Sequence, residues 1–340
     1  MASKTYGEYI TIFELGKGSY GTVHIAEHTV TRKRVALKVQ NQTKDYQTHH
    51  CNQVFENEIE FFQKVKHPYI VEYIEDFKCE IEGYSPHCIV FELADELDLD
   101  KRIKASEQGI PEELALTWFT QTALALEQIH SHGLMHRDVK PANILLFGEK
   151  IGGIAQLGDF GSIKPDNSSI DHTIRVGTFR YFAPERLLGE MDDYSGKADV
   201  WSLGISLHEM LTGGGHPFSN PDDQKYLEGI KKNKLQIKVS ISKPLQDLIK
   251  FLLEKDPLKR PSMKDVLKHP IVYNKIKLIT EQLTNGERIG QAIRKQLKRI
   301  DEFAEESKEQ FLLTSASNMS NMKGVFFKND LIVENIPPPA

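Results

Sequence analysis

The chain has 340 residues, 39% of them hydrophobic and 27% charged, with a formal net charge of −5 and three cysteines. The balance is that of an ordinary soluble chain, and its acidic sign argues against a protein that coats nucleic acid. Cys51, Cys79 and Cys88 are too few for a disulfide framework and point to a reducing compartment, and no stretch approaches the roughly 18 apolar residues of a membrane span. Met1-Ala2-Ser3-Lys4 has neither an apolar signal core nor a myristoylation glycine, so a cytoplasmic protein with access to the nucleus is expected. His49-His50-Cys51 and His87-Cys88 lack the C-x-x-C spacing of a zinc site and read as ordinary buried thiols beside histidines.

In chain order, Tyr9 to Leu15 and Thr22 to Ala26 read as strands, and Gly16-Lys17-Gly18-Ser19-Tyr20-Gly21 between them reads as a hairpin loop. Glycine there lets the backbone approach phosphate oxygens closely and present its amides to them. Dinucleotide-binding folds use the same glycine spacing, but they need a helix straight after the last glycine, and here a strand containing Val23 follows. Val35-Ala36-Leu37-Lys38-Val39 alternates as the next strand. Val54 to Val65 predicts a helix with Ile59, Phe62 and Val65 on one face, closed by His67-Pro68 and carrying Glu56, Glu58 and Glu60. Ile89 to Ala94 is again strand-like, and the acidic Asp95, Glu96, Asp98 and Asp100 lie beyond it.

The most telling run is His136-Arg137-Asp138-Val139-Lys140-Pro141-Ala142-Asn143, set between Leu134-Met135 and Ile144-Leu145-Leu146 and followed by Asp159-Phe160-Gly161. Any one of these aspartates or asparagines is by default a turn former; their ordered combination is not. With the glycine loop, Lys38 and Ala183-Pro184-Glu185, the pattern resembles the eukaryotic-type protein kinase superfamily from about Tyr9 to Tyr273. The resemblance implies an α+β fold of two lobes within 9–273: a small antiparallel β-sheet lobe with one long helix over about 9–93, and a larger, mainly helical lobe over about 95–273.

The resemblance also implies ATP as co-substrate and Mg2+ as cofactor, with Mn2+ as a substitute. Asp138 then accepts the proton of the incoming hydroxyl, Lys140 holds the γ-phosphate, and Asn143 and Asp159 bind the metal. Gly16, Lys17, Gly18, Ser19, Tyr20 and Gly21 cover the phosphates. Lys38 contacts them and pairs with Glu58, which counting back from His67-Pro68 selects over Glu56 and Glu60. Val23 and Ala36 form the roof of an adenine slot and Leu145 its floor. Phe91 is the gatekeeper, Glu92 and Ala94 belong to the hinge, and Asp98 matches the ribose contact. The remaining acidic residues read either as a solvated lip or as a groove favouring basic substrates.

By the same resemblance Arg260 is the buried partner of Glu185, and Asp199 tethers the catalytic loop. Lys140 and Thr178 are of the serine/threonine type, and Phe179 and Phe182 line the pocket for the residue after the acceptor. Arg137 and Lys164 grip a phosphate on the activation segment, while the helix, with Val54 and Asn57, offers no third cation. Thr173, ahead of Ser168 and Ser169, is the acceptor by spacing, for an upstream kinase or for autophosphorylation in trans. The expectation is a serine/threonine kinase of protein substrates. A pseudokinase scaffold is the alternative, disfavoured because Lys38, Asp138, Asn143 and Asp159 are all present; a small-molecule kinase is disfavoured by Ala183-Pro184-Glu185.

Phe147 to Gly153 reads as an enlarged hairpin loop. Residues 274–312 form an amphipathic helical extension, with Ile289, Ile293, Leu297, Ile300 and Ala304 recurring at helical spacing, and 313–340 a flexible or docking tail. The extension is expected to dock on the kinase core, in preference to binding a partner or self-associating.

Overall fold

A computed structural model describes residues 3–41, 45–81, 83–94, 98–148, 153–165, 179–188, 195–218, 229–230, 235–238, 240–282, 296 and 298, with the side chains of 45–50 left aside. Two units are distinguished, 1–294 and 295–340. Of the second, only Gln296 and Lys298 are described, both helical. Thr173, Thr178, Ser168, Ser169, Asp95, Glu96, the tip of the 147–153 loop, and Ile289, Ile293, Leu297, Ile300 and Ala304 lie outside the described residues.

The first unit opens with a six-stranded antiparallel sheet: β1 (Thr5–Tyr6), β2 (Tyr9–Lys17), β3 (Gly21–His28), β4 (Arg34–Gln40), β5 (Tyr73–Lys78) and β6 (His87–Glu92), in the spatial order β1-β2-β3-β4-β6-β5. Cross-strand partners share a face of a sheet. The register Val23↔Lys38, Ala36↔Phe91 and Lys38↔Ile89 therefore puts Val23, Ala36, Lys38, Ile89 and Phe91 on one side. The other side closes over its own core of Tyr6, Tyr9, Ala26, Val35, Leu37, Val39, Cys88 and Val90. Strands β2, β3 and β4 extend one or two residues beyond the apolar runs that mark them, because hairpin pairing continues past the last side chain that must be buried, whereas β6 begins two residues earlier than Ile89 and ends at Glu92.

Helix α1 runs over Asp45–Lys64 between β4 and β5. Its first nine residues, Asp45 to Gln53, are polar or small enough to hide the period, so only the half from Val54 onward is legible as amphipathic.

After the sheet come α2 (Leu99–Lys104), α3 (Glu112–His130), β7 (Leu134–Met135), a 3₁₀ turn at Pro141–Asn143, β8 (Ile144–Phe147), β9 (Ile154–Leu157) and β10 (Lys164–Pro165). A second 3₁₀ turn at Phe179–Tyr181 and the helices α4 (Pro184–Leu188), α5 (Lys197–Thr212), α6 (Lys243–Leu252), α7 (Met263–Lys268) and α8 (Pro270–Gln282) complete the described part. This is the two-lobed α+β arrangement. Helix α5 is buried over nearly its whole surface, as an all-round apolar helix must be. A Cβ on Gly204 would come within 2.9 Å of Leu252, so glycine is what lets the chain before Leu253 pass that close to α5.

Candidate active site

The glycine loop is closed by its own backbone, with Gly18 N–H donating to Gly21 C=O at 2.8 Å, and braced from the sheet by Asn41. Asn41 donates to Gly18 C=O at 2.9 Å, accepts from the Thr22 hydroxyl at 2.8 Å, and its backbone N–H reaches Tyr20 C=O at 2.9 Å. Nothing in the periodicity of the sequence singles out Asn41; only the fold brings it under the loop. Gly16, Lys17, Gly18 and Ser19 are exposed and Tyr20 is half-buried, whereas Gly21 is buried.

Lys38 sits on the inner sheet face, and its Nζ lies 2.8 and 2.7 Å from the two carboxylate oxygens of Glu58 and 3.2 Å from Asp159 Oδ1. Glu58 is almost fully buried, while the Asp159 side chain is 40% exposed and faces the solvent side of the cluster. Burial alone would push the Lys38 ammonium down, but the two carboxylates more than offset it and hold it above its ordinary value. The same burial pushes the Glu58 carboxyl up against the pull of Lys38. A Cβ on Gly161 would lie 3.3 Å from Lys38 Nζ and 3.4 Å from Asp159 Oδ1, so the third residue of the Asp-Phe-Gly run keeps room for this cluster.

The catalytic-loop residues form a second cluster. Lys140 Nζ donates to Asp138 Oδ2 at 2.8 Å, and Asn143 Nδ2 donates to the same oxygen at 3.0 Å and to Asp138 C=O at 2.7 Å. The Asp138 carboxylate is thereby fixed in orientation, and with its nitrogen committed to Asp138, the amide oxygen of Asn143 is the atom left for a cation. The loop is tied to its surroundings by Asp199, which accepts the backbone N–H of His136 and of Arg137 at 2.9 Å each. His130 Nε2 also lies 2.9 Å from Asp199. Although burial would raise it, these hydrogen bonds and the neighbouring His130 and His136 hold the Asp199 carboxyl below the usual carboxylate range. His136 Nε2 faces Gly158 C=O at 3.0 Å, and Gly158 N–H donates to Asn143 C=O at 2.8 Å, which joins the loop to the segment carrying Asp159. Arg137 and Asp159 adopt left-handed backbone, with φ of 69° and 52°, a conformation uncommon outside glycine and concentrated at functional sites.

Five aromatic rings run through the site. Tyr73 stacks on Phe62 at 5.8 Å, Phe62 meets Phe160 edge-on at 4.9 Å, and Phe160 meets His136 edge-on at 4.9 Å. Phe61 stacks flat on Phe160 at 4.5 Å. The apolar pattern marks Phe62 as inward, but the partner it meets comes from a segment about a hundred residues away, which no local pattern reveals.

Val23, Ala36 and Leu145 are half-buried, as residues at the edge of a slot should be, and Phe91 is buried against Phe62 at 5.1 Å. Leu145 forms an isolated bridge with Asp98 and approaches Gly158. Glu92 and Ala94 follow on the strand end. Asp98 caps α2, accepting Lys101 N–H at 2.9 Å, and it also pairs with Lys101 Nζ at 2.8 Å. Asp100 pairs with Lys104 at 2.6 Å, so the described part of the acidic lip is matched by lysines of its own helix.

Beyond the site, Glu185 and Arg260 form a buried two-point pair. Lys164 lies on β10, opposite Met135. Phe182 is buried beneath the Arg186 guanidinium, 3.4 Å from the ring centroid, so of the two expected pocket phenylalanines only the half-buried Phe179 reaches the surface. Arg180 reaches Glu209 at 2.6 Å and the Tyr181 hydroxyl donates to the same carboxylate at 2.9 Å. No motif or spacing connects these three residues.

The family model described as the protein kinase domain matches residues 9–272. The human SNF-related serine/threonine-protein kinase is 34% identical over 268 residues, which make up 78% of this chain and 34% of that protein. Serine/threonine-protein kinase Nek3 of Oryza sativa subsp. japonica is 36% identical over 265 residues, 77% of this chain and 43% of the relative. Putative serine/threonine-protein kinase A of Trypanosoma brucei brucei is 33% identical over 302 residues, 85% of this chain and 66% of the relative. The chain thus spans between a third and two thirds of the length of these curated relatives. Among the described residues, no helix is long and apolar enough to cross a membrane.

Proposed function

The chain belongs to the protein kinase domain family, and from that premise we propose that it transfers the γ-phosphate of ATP to serine or threonine hydroxyls of protein substrates. The observation that carries the reading is Lys38 Nζ in simultaneous contact with Glu58 and Asp159. A cation held by two carboxylates on separate elements is aligned for a polyanionic ligand between them.

Phosphoryl transfer asks mainly for positioning and for neutralisation of charge. Lys38 holds phosphate oxygens, with Glu58 keeping its ammonium in place. Asp138, its carboxylate oriented by Lys140 and Asn143, takes the proton of the acceptor hydroxyl. Asp159 and the amide oxygen of Asn143 are hard oxygen donors of the kind Mg2+ prefers, and one or two such protein ligands suffice when phosphates supply the rest. Among the described residues no cluster of three or more His, Cys, Asp or Glu could hold a metal ion. When bound, Mg2+ offsets charge on the β- and γ-phosphates. Val23, Ala36, Leu145 and Phe91 enclose the adenine, Glu92 and Ala94 meet its edge through their backbone, and Asp98, though it caps α2, lies where the ribose passes. Gly16, Lys17, Gly18, Ser19, Tyr20 and Gly21 cover the phosphates, and Mn2+ substitutes for Mg2+.

The serine/threonine choice rests on Lys140 in the catalytic loop and Thr178. Regulation is assigned to Thr173, phosphorylated by an upstream kinase or by a second copy in trans, with Arg137 and Lys164 receiving the phosphate. The extension over 274–312 docks on the kinase core, and the protein works in the cytoplasm with access to the nucleus. Incubation of the purified chain with γ-labelled ATP, Mg2+ and generic protein substrates tests the reading, with Asp159→Asn as control. Label on serine and threonine, absent from the control, is the expected result. Nucleotide binding without transfer would favour the pseudokinase alternative, and no binding would remove both.

A further inference from the structure

Glu58 reaches Lys38 only while α1 lies against the sheet, and a small set of side chains is committed to that placement. Gln40, the last residue of β4, is buried with both ends of its amide engaged. Its Nε2 donates to Asn52 Oδ1 on α1 at 2.6 Å, and its Oε1 accepts the backbone N–H of His87 at 3.0 Å. His87 opens β6 and is attached twice more: its ring stacks over Phe55 of α1, with centroids 6.2 Å apart, and its Nε2 lies 3.1 Å from Asp76 Oδ2 on β5. Asp76 also accepts the Tyr73 hydroxyl, whose ring stacks on Phe62. The helix is therefore gripped at Asn52, Phe55 and Phe62, on both sides of Glu58, by groups of β4, β5 and β6.

None of these groups belongs to the segment between Asp159 and Glu185. Between Cys51 and Gln63 the helix carries no lysine or arginine, so that stretch has no permanent cation with which to grip a phosphate on that segment. From that segment Phe160 packs on Phe61 and Phe62, whereas the grip at Asn52 and Phe55 comes from the sheet.

We propose that Gln40, Asn52 and His87 form a latch that positions Glu58, and through it Lys38, from the sheet side and without a phosphate on the activation segment. They are positioning residues, and the inference rests on the reading of this site as a phosphotransfer centre. Asn52 lies six residues before Glu58, about 9 Å along the helix axis. Loss of the Gln40 contact at that point frees that part of the helix to swing. Adenine binding, which depends on the opposite edge of the slot, is untouched.

The test uses the full chain with Asn52→Leu, Gln40→Leu and Asn52→Asp, the last of which keeps an acceptor for Gln40 Nε2. Affinities for Mg-ATP and for adenosine, turnover, and amide hydrogen exchange over 53–62 are compared with wild type. Both leucine variants are expected to lose about ten-fold in turnover, a loss of the size that removing one buried hydrogen-bond partner produces. They should also lose the advantage of Mg-ATP over adenosine and exchange faster over 53–62, with adenosine affinity unchanged and Asn52→Asp close to wild type. Leucine variants with wild-type exchange and an unchanged Mg-ATP to adenosine ratio would overturn the latch, as would a parallel loss of adenosine binding or an Asn52→Asp variant as impaired as Asn52→Leu. A wild-type chain that transfers no phosphate would defeat the functional reading instead, and the exchange comparison would still decide the latch.

Discussion

Arg260 holds Glu185 through both terminal guanidinium nitrogens, at 2.7 and 2.9 Å, where the arginine side chain is wholly buried and the glutamate nearly so. The guanidinium is also 5.0 Å from the Trp201 ring, which stacks on Phe218. Removing one charge leaves the other buried without its counter-ion, Arg260 keeping only its hydrogen bonds to the carbonyls of Glu254, Lys197 and Lys255. Glu185→Ala is therefore expected to cost about 3 to 5 kcal/mol of folding stability, read as a lower urea midpoint. The double replacement Glu185→Leu with Arg260→Met should cost less than the single one, since it buries no unpaired charge. A double variant no better than the single would argue that lost shape, not stranded charge, sets the cost.

The two clusters of the candidate active site differ in what their loss should do. Asp138→Asn keeps a side chain for Lys140 and Asn143 to contact but removes the proton acceptor, so turnover should fall by about 10²- to 10⁴-fold with Mg-ATP affinity nearly kept. Lys38→Met removes the partner of Glu58 and should weaken Mg-ATP binding as well as turnover. Paired titration and initial-rate measurements separate the two patterns; similar loss of Mg-ATP affinity in both variants would contradict the division of labour.

The loop glycines are not equivalent. A Cβ on Gly21 would lie 3.0 Å from Phe55 Cζ and from Val39 C=O, whereas a Cβ on Gly16 would meet no protein atom within 4 Å. Gly21→Ala should lower the thermal midpoint of the nucleotide-free chain. Gly16→Ala should leave that midpoint unchanged and raise the KM for ATP, because the added methyl narrows only the approach to phosphate. Equal thermal effects of the two substitutions would remove the distinction.

A buried group and a half-buried one under the Phe179–Tyr181 turn should impose opposite pH dependences. Burial pushes the Glu209 carboxyl up to about 7, against the pull of Arg180 and the Tyr181 hydroxyl and with a further push from Asp100. Its folded value exceeds its unfolded one, so its contribution is complete below about pH 4.5 and is lost as the pH rises through 7. Burial pushes His216 down to about 4, although the carbonyls of Arg180 and Phe218 oppose it. That contribution is present above about pH 6.5 and disappears as the pH falls through 4. Urea denaturation between pH 4 and 8 checks the signs: the stability difference between wild type and Glu209→Gln should shrink on the alkaline side, and that between wild type and His216→Gln on the acid side. The Glu209 displacement corresponds to about 3 kcal/mol.

What the sequence discloses is what lies within a few residues of itself. The catalytic loop, the Asp-Phe-Gly run and the glycine hairpin are contiguous, so residue type and spacing carry them. The two-lobed architecture follows from those motifs through family resemblance. Glu58 needed a count back from His67-Pro68, because three glutamates on one helix differ only in which way they face. The aromatic column of Tyr73, Phe62, Phe160 and His136 was not legible, since each ring is on its own an ordinary core residue. Asn41, His130 and the Arg180–Glu209 pair were missed for a related reason: a polar residue in a turn or a buried helix acquires its role only from a partner that the chain brings back from far away. The first half of α1 escaped notice because its Gln, His and Asn residues mask the helical period.

The packing of Phe160 bears on how this protein could be inhibited. Its ring is stacked flat on Phe61 and meets Phe62 and His136 edge-on. A small molecule that bound by displacing that ring would have to replace three aromatic contacts at about 0.5 to 1.5 kcal/mol each. Drug candidates that leave Phe160 seated and compete only for the slot beside Val23, Ala36 and Leu145 avoid that penalty, and a screening campaign against this chain should return them preferentially.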